Sequence, residues 1–275
     1  GVVRFQATGA SSFIGEADVT NQGTLELDSA TFQVNGALTN SGSLDAAGVT
    51  TSTLNGNLAN QSGSTYSAGT GTTIAGNWAN SGTFTPNTGT VTFSGTNTIA
   101  SGGSSFYRVV VAAAASPTAN DAFACTNVLA VRGTLNLKSS ITFGTRFDEW
   151  TGTMKFNGTG AQTIPVEGYY NLTVDKTAGT ATLSAGTSTV LGALTVTQGT
   201  LDAGSATVNL EGNLSNAGTF TPSTSTLVFT GGSQSVVGSQ NTNFYNLTID
   251  SGATLVFSNT ATPVNTSSIG NDWTN

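Results

Sequence analysis

The chain has 275 residues, a formal net charge of −7, one cysteine and no histidine, and only 8% of its residues are charged. Arg4, Arg108, Arg132, Lys138, Arg146, Lys155 and Lys176 are its seven basic residues, and they form no run, which excludes the electrostatic footprint of a nucleic-acid-binding surface. No apolar stretch is long enough to span a bilayer as a helix, and one Cys without His gives a transition-metal site little to be built from, so membrane insertion, a metal and a cofactor are not expected.

In chain order, Gly1-Val2-Val3-Arg4-Phe5 reads as a strand of the same kind as Gly89-Thr90-Val91-Thr92-Phe93. Residues 1–22 are otherwise less regular and are expected to serve as a docking strand on a neighbour. From Gly23 a repeat of roughly 20 residues takes over. Gly36-Ala37-Leu38, Gly56-Asn57-Leu58 and Gly76-Asn77-Trp78 recur at a constant step, and Asn40, Asn60 and Asn80 follow at the same step. Before each glycine lies a strand whose fourth place is large and apolar: Val34, Leu54, Ile74 and then Phe93 before Gly95. Its neighbours are small or polar, the period of a strand with one buried face. A further strand follows each turn, at Gly23-Thr24-Leu25, Gly42-Ser43-Leu44 and Gly82-Thr83-Phe84, and Gly63-Ser64-Thr65-Tyr66 is the same element with one extra residue.

Turns between these strands are rich in Asn, Gly, Ser and Asp, which accept left-handed backbone or bond to it locally. The recurring Asn has two readings: a turn former, or an amide stacked on the rungs above and below. Trp78 occupies the place of Leu38 and Leu58, which assigns it to the core.

Residues 112–132 are poor in glycine and hold Cys125 in an apolar setting, and residues 144–150 are locally charged; both are expected to be loop-like departures. Downstream, Gly212-Asn213-Leu214-Ser215-Asn216-Ala217-Gly218-Thr219-Phe220-Thr221-Pro222 repeats the block from Gly76 to Pro86. A third element appears as Phe106-Tyr107-Arg108-Val109-Val110-Val111, Tyr169-Tyr170-Asn171-Leu172-Thr173-Val174 and Phe244-Tyr245-Asn246-Leu247-Thr248-Ile249. The last residues, Gly270-Asn271-Asp272-Trp273-Thr274-Asn275, resemble Gly76-Asn77-Trp78-Ala79-Asn80 with one insertion. The pattern predicts an all-β fold, a right-handed parallel β-helix (β-solenoid) with rungs of about 20 residues, running as one elongated domain over residues 1–275. The right hand follows from the chirality of crossovers between parallel strands.

The Gly-Asn-Leu/Trp-x-Asn-x-Gly-Thr-Phe-Thr-Pro block, followed by Thr-Val-x-Phe-x-Gly and Tyr-Asn-Leu-Thr-Val, resembles repeats of large secreted bacterial surface proteins of the adhesin type. The resemblance covers the chain from about Gly23 onward. It implies a cell-surface or extracellular location and a structural or adhesive role, and carries no catalytic residue over.

Carbohydrate-cleaving β-helices need clustered carboxylates. Few acids here recur at a rung spacing that would pair them on one face; Glu26 or Asp28 with Asp45 comes closest, and Asp148-Glu149 beside Trp150 reads as a loop tip, so no enzyme is expected. Trp150 and Tyr169 are the candidates for stacking on a sugar ring. The threonines Thr51, Thr53, Thr73, Thr90 and Thr92 suggest a weaker ice-binding reading, interrupted by Gly71 and Gln33. The chain opens at Gly1 and is expected to start and stop mid-rung without caps. Its partners are therefore expected to be flanking repeats of a longer chain, or further copies stacked head to tail through Val2, Val3, Phe5 and Trp273. The function expected is an extracellular filament subunit or adhesin stalk, with a carbohydrate-binding adhesin segment as the alternative.

Overall fold

The computed structural model describes residues 2–6, 12–144, 151–259 and 269–274. The described residues are all-β, with no helix among them; parallel strands stack as a β-solenoid of about 12 turns, with rungs about 20 residues apart. The chain divides into two compact units, the first over Gly1–Leu135 and Ile141–Glu149 and the second over Asn136–Ser140 and Trp150–Asn275.

In the first unit three parallel sheets surround one core. One stacks Thr31–Val34, Thr51–Leu54, Gly71–Ile74, Thr90–Phe93 and Phe106–Val111; the next stacks Val19–Asn21, Leu38–Asn40, Leu58–Asn60, Trp78–Asn80 and Thr98–Ala100; the third stacks Val2–Gln6, Thr24–Asp28, Ser43–Asp45, Thr65–Ser67 and Thr83–Thr85. Successive strands keep one register. Val34 pairs with Leu54, Leu54 with Ile74, and Ile74 with Phe93. All four side chains are buried, none more than 1% exposed. Each rung alone has too little apolar surface to fold; stacking converts the four into a continuous column. Tyr66, Trp78, Phe84, Phe93 and Phe106 fill the centre, with Trp78 edge-on to Phe84 at 4.8 Å and to Phe106 at 5.3 Å. Trp78 is therefore a core residue.

The glycine before each Leu or Trp has a steric cause. A methyl group on Gly56 would strike the carbonyl oxygen of Gly36, and one on Gly76 that of Gly56. The turn backbones are stacked too closely to admit a side chain. The extra residue before Tyr66 is absorbed at Gly63, whose φ of +80° places it in the left-handed region that favours glycine.

In the second unit one sheet stacks Thr153–Phe156, Asn171–Leu183, Leu194–Asp202, Leu214–Asn216, Ser233–Gly238 and Thr254–Asn259. Another stacks Gly168–Tyr169, Thr187–Val190, Thr207–Leu210, Thr226–Phe229, Phe244–Ile249 and Ile269–Thr274. Leu172, Leu194, Leu214 and Val236 are in register and buried.

Several sequence expectations change. The segment 112–132 is not a loop throughout: Phe123–Val131 forms a nine-residue strand beside Phe106–Val111, because Phe123, Cys125, Leu129 and Val131 supply inward apolar side chains. Of residues 144–150, all but Gly144 lie outside the described residues. The first strand joins the sheet of Thr24–Asp28, not that of Thr90–Phe93, with Val3 in register with Leu25, Arg4 with Glu26 and Phe5 with Leu27. Ile269–Thr274 does not repeat the Trp78 strand either; it pairs with Phe244–Ile249, and Trp273 is in register with Leu247.

Candidate functional site

The most organised polar feature is a column of buried asparagines. Asn21 Nδ2 donates to Asn40 Oδ1 at 2.8 Å, Asn40 Nδ2 to Asn60 Oδ1 at 2.7 Å, and Asn60 Nδ2 to Asn80 Oδ1 at 2.7 Å. The second proton of each amide goes to a strand carbonyl of the neighbouring sheet: Ser43 O for Asn21, Thr65 O for Asn40 and Thr83 O for Asn60. Each oxygen has further work: Gly23 N–H donates to Asn21 and Gly42 N–H to Asn40, while Ser64 Oγ donates to Asn60. Both sequence readings of the Asn are thus realised at one residue, which closes the local turn and joins the rungs. The column ends at Asn80, whose Nδ2 donates to Ser101 O and Ser104 Oγ. Ser101 is capped in turn by the Asp121 carboxylate, which accepts from its N–H and Oγ. A second amide column, exposed, runs from Asn55 Nδ2 to Asn35 Oδ1, with Asn35 Nδ2 donating to Glu16.

In the second unit the same column is nearly empty. Val174 and Val196 stand in line with Asn216. Asn216 Nδ2 donates to Asn241 O and Thr242 Oγ1, but its buried Oδ1 has no partner. Glutamines take over the bracing elsewhere. Gln162 accepts from Gly158 N–H and donates to Leu137 O and Ser139 O; Gln234 accepts from Gly231 N–H and donates to Leu210 O and Gly212 O.

Lys176 is 1% exposed. Its ammonium donates to Gly158 O at 2.5 Å, Gln162 Oε1 at 2.8 Å and Gly160 O at 2.9 Å. Burial, and secondarily repulsion from Lys138, lowers its pKa from the ordinary lysine value. Three oxygens and no carboxylate make this an internal brace between rungs. On the outer face, Lys155 is paired with Asp175, and that bond holds the Asp175 carboxyl below its usual range against the opposing effect of burial.

The sugar-stacking candidates fare differently. Trp150 lies outside the described residues. Tyr169 is fully buried, and its hydroxyl donates to Pro165 O at 2.6 Å, so its ring presents no face to a sugar. Burial pushes its pKa well above the usual tyrosine value, and the nearby Glu167 charge adds to this. The correction is one of parity. In all three copies of the aromatic pair the first ring goes in (Phe106, Tyr169, Phe244) and the second faces out. Tyr170 is 37% exposed, and Leu191, on the next rung beside it, is 46% exposed. Sequence alternation shows that the two rings face opposite ways; only the neighbouring rungs decide which way.

Of the end-to-end candidates, Val2, Val3, Phe5 and Trp273 are placed by strand register only. In Thr254–Asn259, the last strand of its sheet among the described residues, Phe257 stands in register with the buried Val236 yet is 47% exposed, and Val256 is 49% exposed. Glu26 and Asp45 are register partners on an outward face. Asp148 and Glu149 lie outside the described residues, within which no three His, Cys, Asp or Glu side chains converge. The threonines do form columns, Thr51–Gly71–Thr90 and Thr53–Thr73–Thr92, but the next rung replaces them with Arg108 and Val110.

Cys125 is buried, its thiol donating to Val128 O at 3.1 Å, and burial pushes its pKa up to about 11. A thiol held protonated is a poor nucleophile, although a recess of ≈ 300 Å³ lined by Ser105, Thr126, Thr142 and Phe143 lies beside it. Comparison with protein-family models, with curated proteins and with solved structures finds no match.

Proposed function

We propose that this chain is a structural segment of an extracellular or cell-surface assembly, a stalk or filament subunit whose stacked rungs bear load. The observation that carries this reading is the buried Asn21–Asn40–Asn60–Asn80 column, which ties four rungs together by side-chain hydrogen bonds in addition to the strand ladder. Pulling along the stacking direction loads these bonds and the interstrand bonds together, so rungs resist separation as a group. The polar investment lies in joining rungs. Head-to-tail contact with another copy, or with flanking repeats, is supported by the strand Thr254–Asn259, the last of its sheet among the described residues, which leaves Phe257 half exposed at a place that is buried at Leu172, Leu194, Leu214 and Val236 in the rungs before it. Negative-stain microscopy and sedimentation across a concentration series test the self-assembly arm. Filaments that lengthen with concentration support it, and a monodisperse particle at high concentration leaves only the stalk within a longer chain.

A second reading, a carbohydrate-binding adhesin segment, is favoured by the adjacent exposed Tyr170 and Leu191. A glycan array tests it: binding lost in Tyr170→Ala and kept in Leu58→Met supports the reading, and no binding to any glycan ends it.

A further inference from the structure

The core of the first unit changes composition at one level. Along the inward column of the first sheet, Phe32 pairs with Ser52, Ser52 with Thr72, and Thr72 with Val91. Two small hydroxyl residues thus interrupt a row of large apolar ones. On the facing sheet the row runs Leu25, Leu44, Tyr66 and Phe84. Volume removed at Ser52 and Thr72 is partly returned by the phenol of Tyr66. Chain order fixes the level: Thr65–Ser67 follows Thr51–Leu54 and precedes Gly71–Ile74, so Tyr66 enters the core between the rungs of Ser52 and Thr72.

All three residues are enclosed, at 0%, 1% and 2% exposure for Ser52, Tyr66 and Thr72. Among the described residues none of the three hydroxyls makes a hydrogen bond of good geometry to the protein. Burial raises the Tyr66 pKa and a side-chain interaction with the Thr72 hydroxyl opposes the rise, which makes these two hydroxyls near neighbours, although their geometry falls short of a well-formed hydrogen bond. Buried polar groups in folded proteins are almost always paired, and ordered water supplies the partner where protein does not.

We propose that Ser52, Thr72 and Tyr66 form an internal binding site for one ordered water molecule, which bridges the two rungs to the facing sheet. Each hydroxyl both donates and accepts, so a single water can make three bonds, the usual number for a buried one. The site has no side-chain charge and no direct path to solvent through its three enclosed ligands. The water therefore exchanges only when neighbouring rungs part, and its residence time reports that opening.

The test is a high-resolution crystal structure of the whole chain, with water–protein nuclear Overhauser spectroscopy in solution. The expected result is one density peak within hydrogen-bond distance of all three hydroxyl oxygens, and a water cross-peak to the Tyr66 ring of long residence. In Ser52→Ala/Thr72→Val, which keeps the strands and removes two ligands, the cross-peak should be lost. Thr72→Ser, which keeps the hydroxyl, should retain it and guards against loss through misfolding. Three hydroxyls bonded directly to one another with no peak between them, or a cross-peak unchanged in the double variant, would overturn the proposal.

Discussion

Asn40 donates from Nδ2 to Oδ1 of Asn60 at 2.7 Å, across 20 residues of chain and inside the core. The same residue pair occupies adjacent places in the strand register, so this contact joins two rungs away from water, while Gly42 N–H closes the local turn on the oxygen of Asn40. Asn60→Val removes an acceptor from Asn40 and Ser64 and a donor from Asn80. Two or more buried groups left unpaired should cost roughly 4 kcal/mol in urea unfolding. Asn57→Ala, which loses only an exposed bond to Asn77 N–H, should cost about 1 kcal/mol or less.

The unpaired Asn216 Oδ1 gives the converse experiment. Val196 is its register neighbour, in the place from which a preceding Asn donates in the first unit. Val196→Asn should extend the column and stay within about 1 kcal/mol of the parent chain, because the buried amide finds an acceptor. Val174→Asn, equally buried but next to Val196, should lose about 3 kcal/mol. Chemical denaturation of the two variants side by side reads the difference.

Glycine tolerance should follow rung contact and not exposure of the turn as such. Gly76→Ala drives a methyl into the carbonyl of Gly56 and should cost about 3 kcal/mol or more. Gly160→Ala meets nothing within 4 Å and should change stability by no more than about 0.5 kcal/mol. Thermal melts of both variants suffice.

Acid sensitivity should trace in part to Asp175. Its pKa in the folded chain is lowered from the ordinary 3.8, chiefly by the bond from Lys155. A lowered folded value means that the unfolded chain binds the proton more readily, so the stabilisation is full above 3.8 and is lost as pH falls through the folded value. Asp175→Asn should be less stable than the parent at neutral pH, and the gap should narrow below pH 3.8. A gap independent of pH would show that the ion pair contributes nothing.

Much of the fold was legible because a solenoid writes its geometry into a constant sequence step. The column Val34, Leu54, Ile74 and Phe93 and the core place of Trp78 could be read from the step alone, whereas the steric reason for Gly56 and Gly76 could not, because a glycine under a close backbone and one in a left-handed turn look alike in sequence. The double role of Asn40 and Asn60 could not, because a turn former and a stacked amide leave the same trace. Tyr169 and Tyr170 were distinguishable only as opposite in facing, and parity is set by the rungs around them. Lys176 and the Ser52–Tyr66–Thr72 cluster left no signal, since a buried lysine braced by carbonyls and a hydroxyl trio have no sequence motif. The sequence likeness of residues 1–5 to 89–93 and of residues 270–275 to 76–80 points to the wrong sheets, because short apolar alternation is shared by all of them and register, not pattern, separates them.

The load-bearing account is tested most directly by single-molecule extension of the whole chain held at its two ends. It predicts force peaks well above those of an unfolded polymer, with length released in multiples of one rung, about 65–70 Å for some 20 residues, and with Asn60→Val lowering the peaks that release the first unit. Smooth extension without peaks, or peaks unmoved by that substitution, would contradict it.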